Sequence, residues 1–266
     1  MSKSFTIVLN YVFLVAVLVV NALANILPIN GLNTAQVSAM YPNLFVPAGF
    51  TFGIWGFIYL LLILHVVYSH YILVHEKRCV NCIGKLVHRL NPLFWLTCLL
   101  NVSWIFAWHY LQVGLSVVIM IALFLTLLRI FRFITIADRD IKLGYMEHIS
   151  LETPFIIYFS WIAVALIANV TAFLVSLGWT PANEITWACI MIATAGLIGI
   201  MLSVFWHRPA YTAVIIWALL GIYSKQRGIQ TIGGTALATI VACFLAAGFG
   251  FWMKRKLLFR SSVQVD

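Results

Sequence analysis

The chain has 266 residues, of which 64% are hydrophobic and only 9% are charged. This balance excludes a soluble globular protein and is typical of a protein that crosses a membrane many times. The formal net charge is +9. Because the basic residues lie in short segments between apolar runs, they indicate membrane topology and exclude a nucleic-acid partner. We therefore predict an integral, multi-pass membrane protein whose main partner is the lipid bilayer.

Eight apolar runs are long enough to cross a hydrocarbon core of ~30 Å at a rise of ~1.5 Å per residue. They cover residues 5–27, 48–73, 92–111, 114–135, 154–177, 185–206, 209–223 and 232–253. The first run is too long for a signal peptide, so we predict that it is retained. The seventh is short and has charged neighbours, which makes it the weakest. The predicted fold class is an all-α, polytopic transmembrane helix bundle of about eight helices.

The distribution of Lys and Arg among the loops predicts the orientation of the bundle. Residues 28–47 carry no charge, whereas residues 74–91, 136–153 and the segment after the last helix are rich in Lys and Arg. The positive-inside rule then places both termini in the cytoplasm, and Lys225 and Arg227 are the one discordant pair. We expect a prokaryotic plasma membrane. The mixed charges of residues 136–153 predict a solvated connector without a catalytic carboxylate pair.

Three helices carry aromatic and amide residues at helical spacing, beneath an uncharged loop that Pro42 and Pro47 stiffen. The residues are Phe52, Trp55 and Tyr59 in the second helix, Asn101, Trp104 and Trp108 in the third, and Tyr158, Trp161, Ala165 and Asn169 in the fifth. Their depths in the bilayer overlap, so we predict that the three faces meet in one cavity. The alternative stays open, because aromatic stripes commonly pack between helices and an intramembrane amide often bonds to another helix.

These residues resemble motifs of a known membrane protein family. In the first loop and second helix, Pro47, Trp55, Ile58 and Tyr59 match part of W-x-P-P-x-x-x-F-x-x-x-W-x-x-L-Y. In the third helix, Leu100, Asn101 and Trp104 match L-N-x-x-W. In the fifth helix, Tyr158, Trp161 and Asn169 match part of P-Y-x-x-W with an Asn eight residues later, and the proline is displaced to Pro154. Together, these motifs resemble those of the tryptophan-rich sensory protein or translocator protein (TspO/MBR) family.

The resemblance covers residues 1–177 and departs from the family at several positions. The first Trp of the hallmark motif is displaced to Phe45 or lost, and only one residue of the Pro-Pro pair remains. The last three apolar runs have no counterpart in the family. The resemblance therefore implies a five-helix translocator-protein-like bundle over residues 1–177 and three additional transmembrane helices with a short basic tail over residues 178–266.

Family members bind tetrapyrroles such as protoporphyrin, and some bind sterols or synthetic aromatic compounds. The resemblance implies that this protein binds a hydrophobic aromatic small molecule in an intramembrane pocket and acts as a sensor or carrier. No cofactor is required, a porphyrin is the candidate ligand, and a homodimer is a candidate assembly. The implied ligand-binding residues are Pro47, Phe52, Trp55, Tyr59, Asn101, Trp104, Tyr158, Trp161, Ala165 and Asn169. Trp55 and Asn101 would supply hydrogen bonds, and the other rings would supply flat faces.

Two other functional classes remain. Eight helices and a broken, basic seventh segment favour a secondary transporter of a small apolar or amphipathic substrate, although the spanning segments lack the buried carboxylates that couple transport to ions. An enzyme is the least supported class, because the sequence shows no nucleophile with a base, no inward-facing acid pair and no phosphate loop. We therefore predict no catalytic residues.

One loop has the spacing of metal ligands. His75, Cys79, Cys82 and His88 read H-x3-C-x2-C-x5-H, and Cys and His at such distances bind zinc in many proteins. A single C-x-x-C with flanking histidines is a weak pattern, so free thiols or reversible oxidation are the alternatives. Other histidines, including His65 and His109, are predicted to mark helix ends at the membrane interface.

Overall fold

The computed structural model describes residues 2–27, 29–75, 83–206 and 208–263, with side chains as far as Met253. Throughout these ranges the regular structure is helical, without a strand. The helices are α1 Lys3–Ile26, α2 Thr34–Ala39, α3 Ile54–His75, α4 Ile83–His109, α5 Val113–Ile141, α6 Tyr145–Glu147, α7 Thr153–Ser176, α8 Glu184–Trp206, α9 Pro209–Gln226 and α10 Gln230–Val263. Two 3₁₀ turns, Ile29–Gly31 and Gly49–Gly53, and a π-helical turn, His148–Glu152, complete the set.

The predicted polytopic helix bundle is confirmed. Each of the eight apolar runs coincides for most of its length with a long helix, and seven helical segments of the described chain are long and apolar enough to cross a membrane. Helix α9, which contains the weakest run, is not among the seven. Helices α4 and α5 extend beyond their apolar runs, to Ile83 and Ile141. The charged turns at these ends are helical because a helix continues into the headgroup layer, where charges stay solvated.

The chain divides into two compact units by the proximity of its Cα atoms. The first unit contains residues 1–41 and 53–162, and the second contains residues 42–52 and 163–266. The boundary falls within α7. The division at residues 177 and 178 stays a prediction, because compactness does not test whether either part is a separate domain.

In the first unit, α4 packs along both α1 and α5, and α3 packs against α1. The core consists of aliphatic and aromatic side chains such as Leu62, Leu90 and Phe94, all fully buried. Polar bonds also join the helices. Asn10 of α1 donates from Nδ2 to Asn91 Oδ1 of α4 at 3.1 Å, and its Oδ1 accepts a hydrogen bond from Trp95 Nε1 at 2.7 Å. Such amides hold helices together in hydrocarbon.

In the second unit, α8, α9 and α10 pack pairwise, and small residues allow them to approach closely. A Cβ atom at Gly196 of α8 would lie 2.1 Å from Thr239 Cγ2 of α10. Thr212 of α9 donates from Oγ1 to the Gly199 carbonyl at 2.8 Å. Small residues and hydroxyl groups at helix crossings are typical of packing in membranes, where lipid provides no hydrophobic drive for association.

Residues 136–153 differ from the solvated connector that we predicted. Ser150, Leu151 and Glu152 are buried, and Glu152 is only 3% exposed. The His148 ring contacts the Glu152 carboxylate through Nδ1 and lies 3.6 Å from Asp138 Oδ1 through Nε2. The prediction is wrong for residues 150–152, because the π-helical turn continues directly into α7 and turns them toward the interior, where the imidazole is a partner of the Glu152 carboxylate. Arg139, Asp140 and Lys142 are exposed, as predicted.

The prediction that His65 marks a helix end at the membrane interface is also wrong. Its side chain is 0% exposed and lies between the rings of Phe94, at 5.3 Å, and Phe155, at 4.7 Å. The ring atom Nδ1 is 3.2 Å from the carbonyl oxygen of Ser150. A histidine among aromatic rings with one backbone partner is part of the core, so its position in the apolar run does not mark a helix end.

Candidate functional site

The Trp55 side chain is the centre of an aromatic cluster in the first unit. Its ring centroid lies 5.7 Å from that of Tyr59 and 6.3 Å from that of Trp104, both in stacked orientation. Tyr158, at 5.8 Å, and Trp161, at 6.2 Å, meet it edge-on. Trp104, Tyr158 and Trp161 are buried, whereas Trp55 and Tyr59 are half-buried. The structure thus brings together rings from α3, α4 and α7 in one cluster, whose central ring, Trp55, is half-buried.

Stacked rings continue from this cluster toward the end of α4. Trp104 stacks on Trp108 with centroids 5.8 Å apart, and Trp108 contacts the Tyr41 ring at 6.1 Å. The indole Nε1 of Trp108 donates to the Thr34 carbonyl at 3.3 Å. The spacing of Trp104 and Trp108 by four residues puts both rings on one helical face, as predicted. The aromatic series therefore connects Tyr59, inside α3, with the segment before residue 42.

Asn101 joins three helices at the edge of the cluster. Its Oδ1 accepts a hydrogen bond from Asn21 Nδ2 of α1 at 2.7 Å, and its Nδ2 donates to the Tyr158 hydroxyl of α7 at 3.0 Å. Asn21 also donates to the Val17 carbonyl at 2.9 Å. The oxygen and the nitrogen of the Asn101 amide each have a protein partner. A bond between helices, which we left open as the alternative to ligand binding, is therefore present.

Sequence reasoning missed Asn21. A signal was available, because Asn10 and Asn21 are eleven residues apart, close to three helical turns, and therefore share a face of α1. Both are buried, at 1% and 6% exposure. Two amides on the same side of a predominantly apolar helix predict polar partners on neighbouring helices, and α4 supplies both as Asn91 and Asn101.

The first part of the predicted lid is tied to the carboxyl end of α4. Asn30 donates from Nδ2 to the His109 carbonyl at 3.0 Å. The His109 ring lies 3.1 Å from Thr34 Oγ1 and 3.3 Å from the Ile29 carbonyl oxygen. His109 is the last residue of α4, so it marks a helix end as predicted, but its side chain is 0% exposed and does not reach the solvent. The loop covers this helix end because its carbonyls and the Thr34 hydroxyl provide the partners of the ring.

The second part of the predicted lid, residues 42–52, belongs to the second unit and packs on α9. The Ala48 amide donates to the Gly221 carbonyl at 3.0 Å, and Trp217 Nε1 donates to the Thr51 carbonyl at 3.0 Å. Phe50 meets the Trp217 ring edge-on at 5.5 Å. A Cβ atom at Gly221 would lie 2.0 Å from Thr51 Oγ1, so this close approach requires glycine.

The ten predicted site residues divide between the two units. Six lie in the first, namely Trp55, Tyr59, Asn101, Trp104, Tyr158 and Trp161. Four lie in the second, namely Pro47, Phe52, Ala165 and Asn169. Pro47 and Asn169 are buried, and Phe52 and Ala165 are half-buried. The predicted face shared by Phe52, Trp55 and Tyr59 in one α-helix is wrong for Phe52, because Phe52 lies in a 3₁₀ turn and α3 begins at Ile54.

The candidate metal ligands fall partly outside the described residues. Cys79 and Cys82 lie there, so their part in a metal site stays a prediction. His75 Nδ1 is 3.0 Å from the Tyr71 carbonyl oxygen of its own helix, and His88 is exposed. The described part of the chain contains no group of three or more His, Cys, Asp or Glu residues that could hold a metal ion.

The described residues form helices throughout their regular structure, seven helical segments are long and apolar enough to cross a membrane, and the class of protein is therefore an integral, multi-pass membrane protein. The family model for TSPO-like protein matches residues 7–249, and the chain belongs to this family. The match continues beyond residue 177 through α8, α9 and most of α10, for which we predicted no counterpart in the family. No curated protein and no solved structure matches the chain significantly.

Proposed function

We propose that this protein binds a flat, hydrophobic, aromatic molecule of the tetrapyrrole class at the Trp55 cluster and acts as a membrane sensor or carrier. The observation that carries the proposal is the half-buried Trp55 ring at the centre of four other rings. Membership in the TSPO-like protein family supports a membrane protein that binds small hydrophobic ligands. The six site residues of the first unit carry the proposal, and the four of the second unit stay predictions.

The chemistry of the cluster suits a flat guest. Indole and phenol rings offer faces for stacking, which contributes about 1–3 kcal/mol per stacked base in comparable aromatic platforms. The cluster itself contains no charged side chain, so a highly polar solute would lose its hydration without compensation. The edge-on rings of Tyr158 and Trp161 restrict the rotation of Trp55. A guest would therefore meet a preorganised ring face.

Asn101 has a different part in this proposal from the one the motifs implied. Because its amide already bonds to Asn21 and Tyr158, a polar group of the ligand would have to displace one of these bonds. We propose that Asn101 positions the Tyr158 hydroxyl and ring, and that Trp55 and Trp104 provide the contact surface. The segment 29–41, anchored on His109 and Trp108, is the proposed cover of the site.

The test is a titration of the purified protein in nanodiscs with protoporphyrin, followed by Soret absorbance and by quenching of tryptophan fluorescence. Trp55→Leu is expected to weaken binding about tenfold, equivalent to the loss of one stacked ring. Trp252→Leu removes an exposed tryptophan near the end of α10 and is the matched control for a lost fluorophore. Equal affinities for the wild type and Trp55→Leu would refute the assignment of the site.

A secondary transporter is the second candidate function, and one observation favours it. The sequence shows no carboxylate inside the apolar runs, which argues against transport. However, Glu152, at 3% exposure, lies two residues before the run 154–177, in the helical segment Tyr145–Ser176 that is long and apolar enough to cross a membrane. A buried carboxylate beside a histidine can couple a substrate to protons. Porphyrin uptake into proteoliposomes that stops when the proton gradient is removed, and in Glu152→Gln, would favour this function over sensing.

A further inference from the structure

A cavity of about 260 Å³ lies in the first unit between the amino end of α4 and the carboxyl end of α5. Helix α4 contributes Lys85, Leu86 and Arg89 to its wall. Helix α5 contributes one face, with residues at the helical spacing 133, 136, 137, 140 and 141. The wall thus combines two cations and one carboxylate, from Asp140, with an apolar surface that includes Phe133 and Ala137.

The depth of this cavity corresponds to the headgroup layer. Helix α4 has 27 residues and α5 has 29, which gives lengths of ~40 and ~43 Å at ~1.5 Å per residue. Both helices exceed the ~30 Å hydrocarbon core by ~10 Å or more. Apart from Phe133, the residues of the cavity lie in the turns that extend beyond the apolar runs, at the end that the distribution of Lys and Arg assigns to the cytoplasm. Lys85, Arg89 and Asp140 are exposed there.

We propose that this cavity binds the headgroup of an anionic phospholipid of the adjoining leaflet. Lys85 and Arg89, four residues apart on one face of α4, would hold the phosphate, because a basic pocket between transmembrane helices attracts anionic headgroups. The Asp140 carboxylate faces the same space and would accept hydrogen bonds from headgroup hydroxyls. The apolar face of α5 continues toward the hydrocarbon core and would lie along the acyl chain. A glycerol headgroup therefore fits better than choline.

The volume of the cavity supports a headgroup over a larger ligand. Pockets for drug-sized molecules have volumes of ~300–1,000 Å³, and 260 Å³ lies below that range. A phosphate with its glycerol can enter while the acyl chains stay in the bilayer. A tetrapyrrole is too large for this space. The proposed lipid site is therefore distinct from the Trp55 cluster, and either proposal can fail without the other.

The experiment measures the binding of phosphatidylglycerol to the delipidated full-length protein by native mass spectrometry, with phosphatidylcholine as the neutral lipid. We expect phosphatidylglycerol to bind at least tenfold more tightly. The double variant Lys85→Gln/Arg89→Gln is expected to bind phosphatidylglycerol roughly 30-fold more weakly, since each cation near the surface raises the affinity for an anionic lipid about fivefold. Arg139→Gln removes an exposed cation of the same helical turn of α5 that is not part of the cavity wall, and its effect is expected to be below threefold.

A further variant distinguishes binding in the cavity from attraction of the lipid to surface charge. Ala137→Phe fills the space and keeps all charges, and we expect it to weaken phosphatidylglycerol binding as strongly as the double variant. Inorganic phosphate and glycerol phosphate, added at millimolar concentration, are expected to compete poorly. Equal binding of both lipids, or an equal loss in Arg139→Gln, overturns the proposal. Full competition by inorganic phosphate also overturns it, because the source of the anion would then be soluble.

Discussion

The Asn101 amide is predicted to stabilise the first unit through its bond to Tyr158, and a double-mutant cycle measures this bond. Asn101→Leu removes both hydrogen bonds of the amide with little change of volume, and Tyr158→Phe removes only the hydroxyl. The donor and acceptor atoms, Asn101 Nδ2 and the Tyr158 hydroxyl oxygen, are 3.0 Å apart, and both residues are at most 1% exposed. The bond therefore has no direct competition from bulk water.

The expected change in the free energy of unfolding follows from the measured strengths of hydrogen bonds between membrane helices. These contribute ~0.6 kcal/mol on average and at most ~1.7 kcal/mol. Asn101→Leu breaks two bonds, of which the one to Asn21 is the shorter, at 2.7 Å, and leaves buried partners unsatisfied at about 1–3 kcal/mol. We expect the free energy of unfolding to fall by about 2–4 kcal/mol in Asn101→Leu and by about 1 kcal/mol in Tyr158→Phe. The coupling free energy between the two substitutions is expected to be ~1 kcal/mol.

The assay is unfolding of the purified protein in mixed micelles, followed by intrinsic fluorescence, for the wild type, both single variants and the double variant. Thr126→Val is the control partner, because the Thr126 hydroxyl bonds to the Ala122 carbonyl of its own helix at 2.8 Å. Its effect should add to that of Asn101→Leu. If the effects of Asn101→Leu and Tyr158→Phe also add within ~0.3 kcal/mol, the amide does not join the helices and the reasoning is refuted.

Two more predictions concern the second unit and the buried core. Gly221→Ala would place a Cβ atom 2.0 Å from Thr51 Oγ1, so we expect faster amide hydrogen exchange in residues 42–52. Gly234→Ala is the control, because the space around Gly234 is open, and it should leave this exchange unchanged. Equal exchange rates in both variants would contradict the close packing at Gly221. Ser69 is fully buried, and its hydroxyl has no hydrogen-bond partner among the described residues, so Ser69→Ala should raise the free energy of unfolding by about 1 kcal/mol. Ser160→Ala, which breaks a 2.8 Å bond to the Ile156 carbonyl, should lower it, and a fall in both variants would argue against a desolvated hydroxyl at Ser69.

The aromatic cluster illustrates how far spacing along a helix can predict a site. Trp104 and Trp108 share a face of α4, and Trp55 and Tyr59 share a face of α3, because their spacing fits the helical repeat. Phe52 did not follow the pattern, since it lies in the 3₁₀ turn Gly49–Gly53, before α3 begins at Ile54. The limit of the prediction is the helix terminus, where a 3₁₀ turn has three residues per turn and breaks the α-helical period.

The histidines and carboxylates were harder to place. His65 and Glu152 are polar, and their sequence neighbours are consistent with either an interface or a core. The structure buries His65 between Phe94 and Phe155 and buries Glu152 beside His148. A polar side chain enters a membrane core only when a partner is available, and the partner comes from another helix or from a later turn. Such pairing cannot be read from one segment alone.

The amino-acid sequence by itself determined that the protein is a helical membrane protein, since uninterrupted apolar runs permit no other backbone arrangement in lipid. It also determined which faces of α3, α4 and α7 carry rings, because the helical repeat fixes side-chain direction. Only the tertiary structure decided that Asn101 is bonded to Asn21 and Tyr158, that residues 42–52 pack on Gly221 of α9, and that charged turns of α4 and α5 enclose a cavity. These features depend on which helices pack against each other, and the periodicity of a single segment does not predict those contacts.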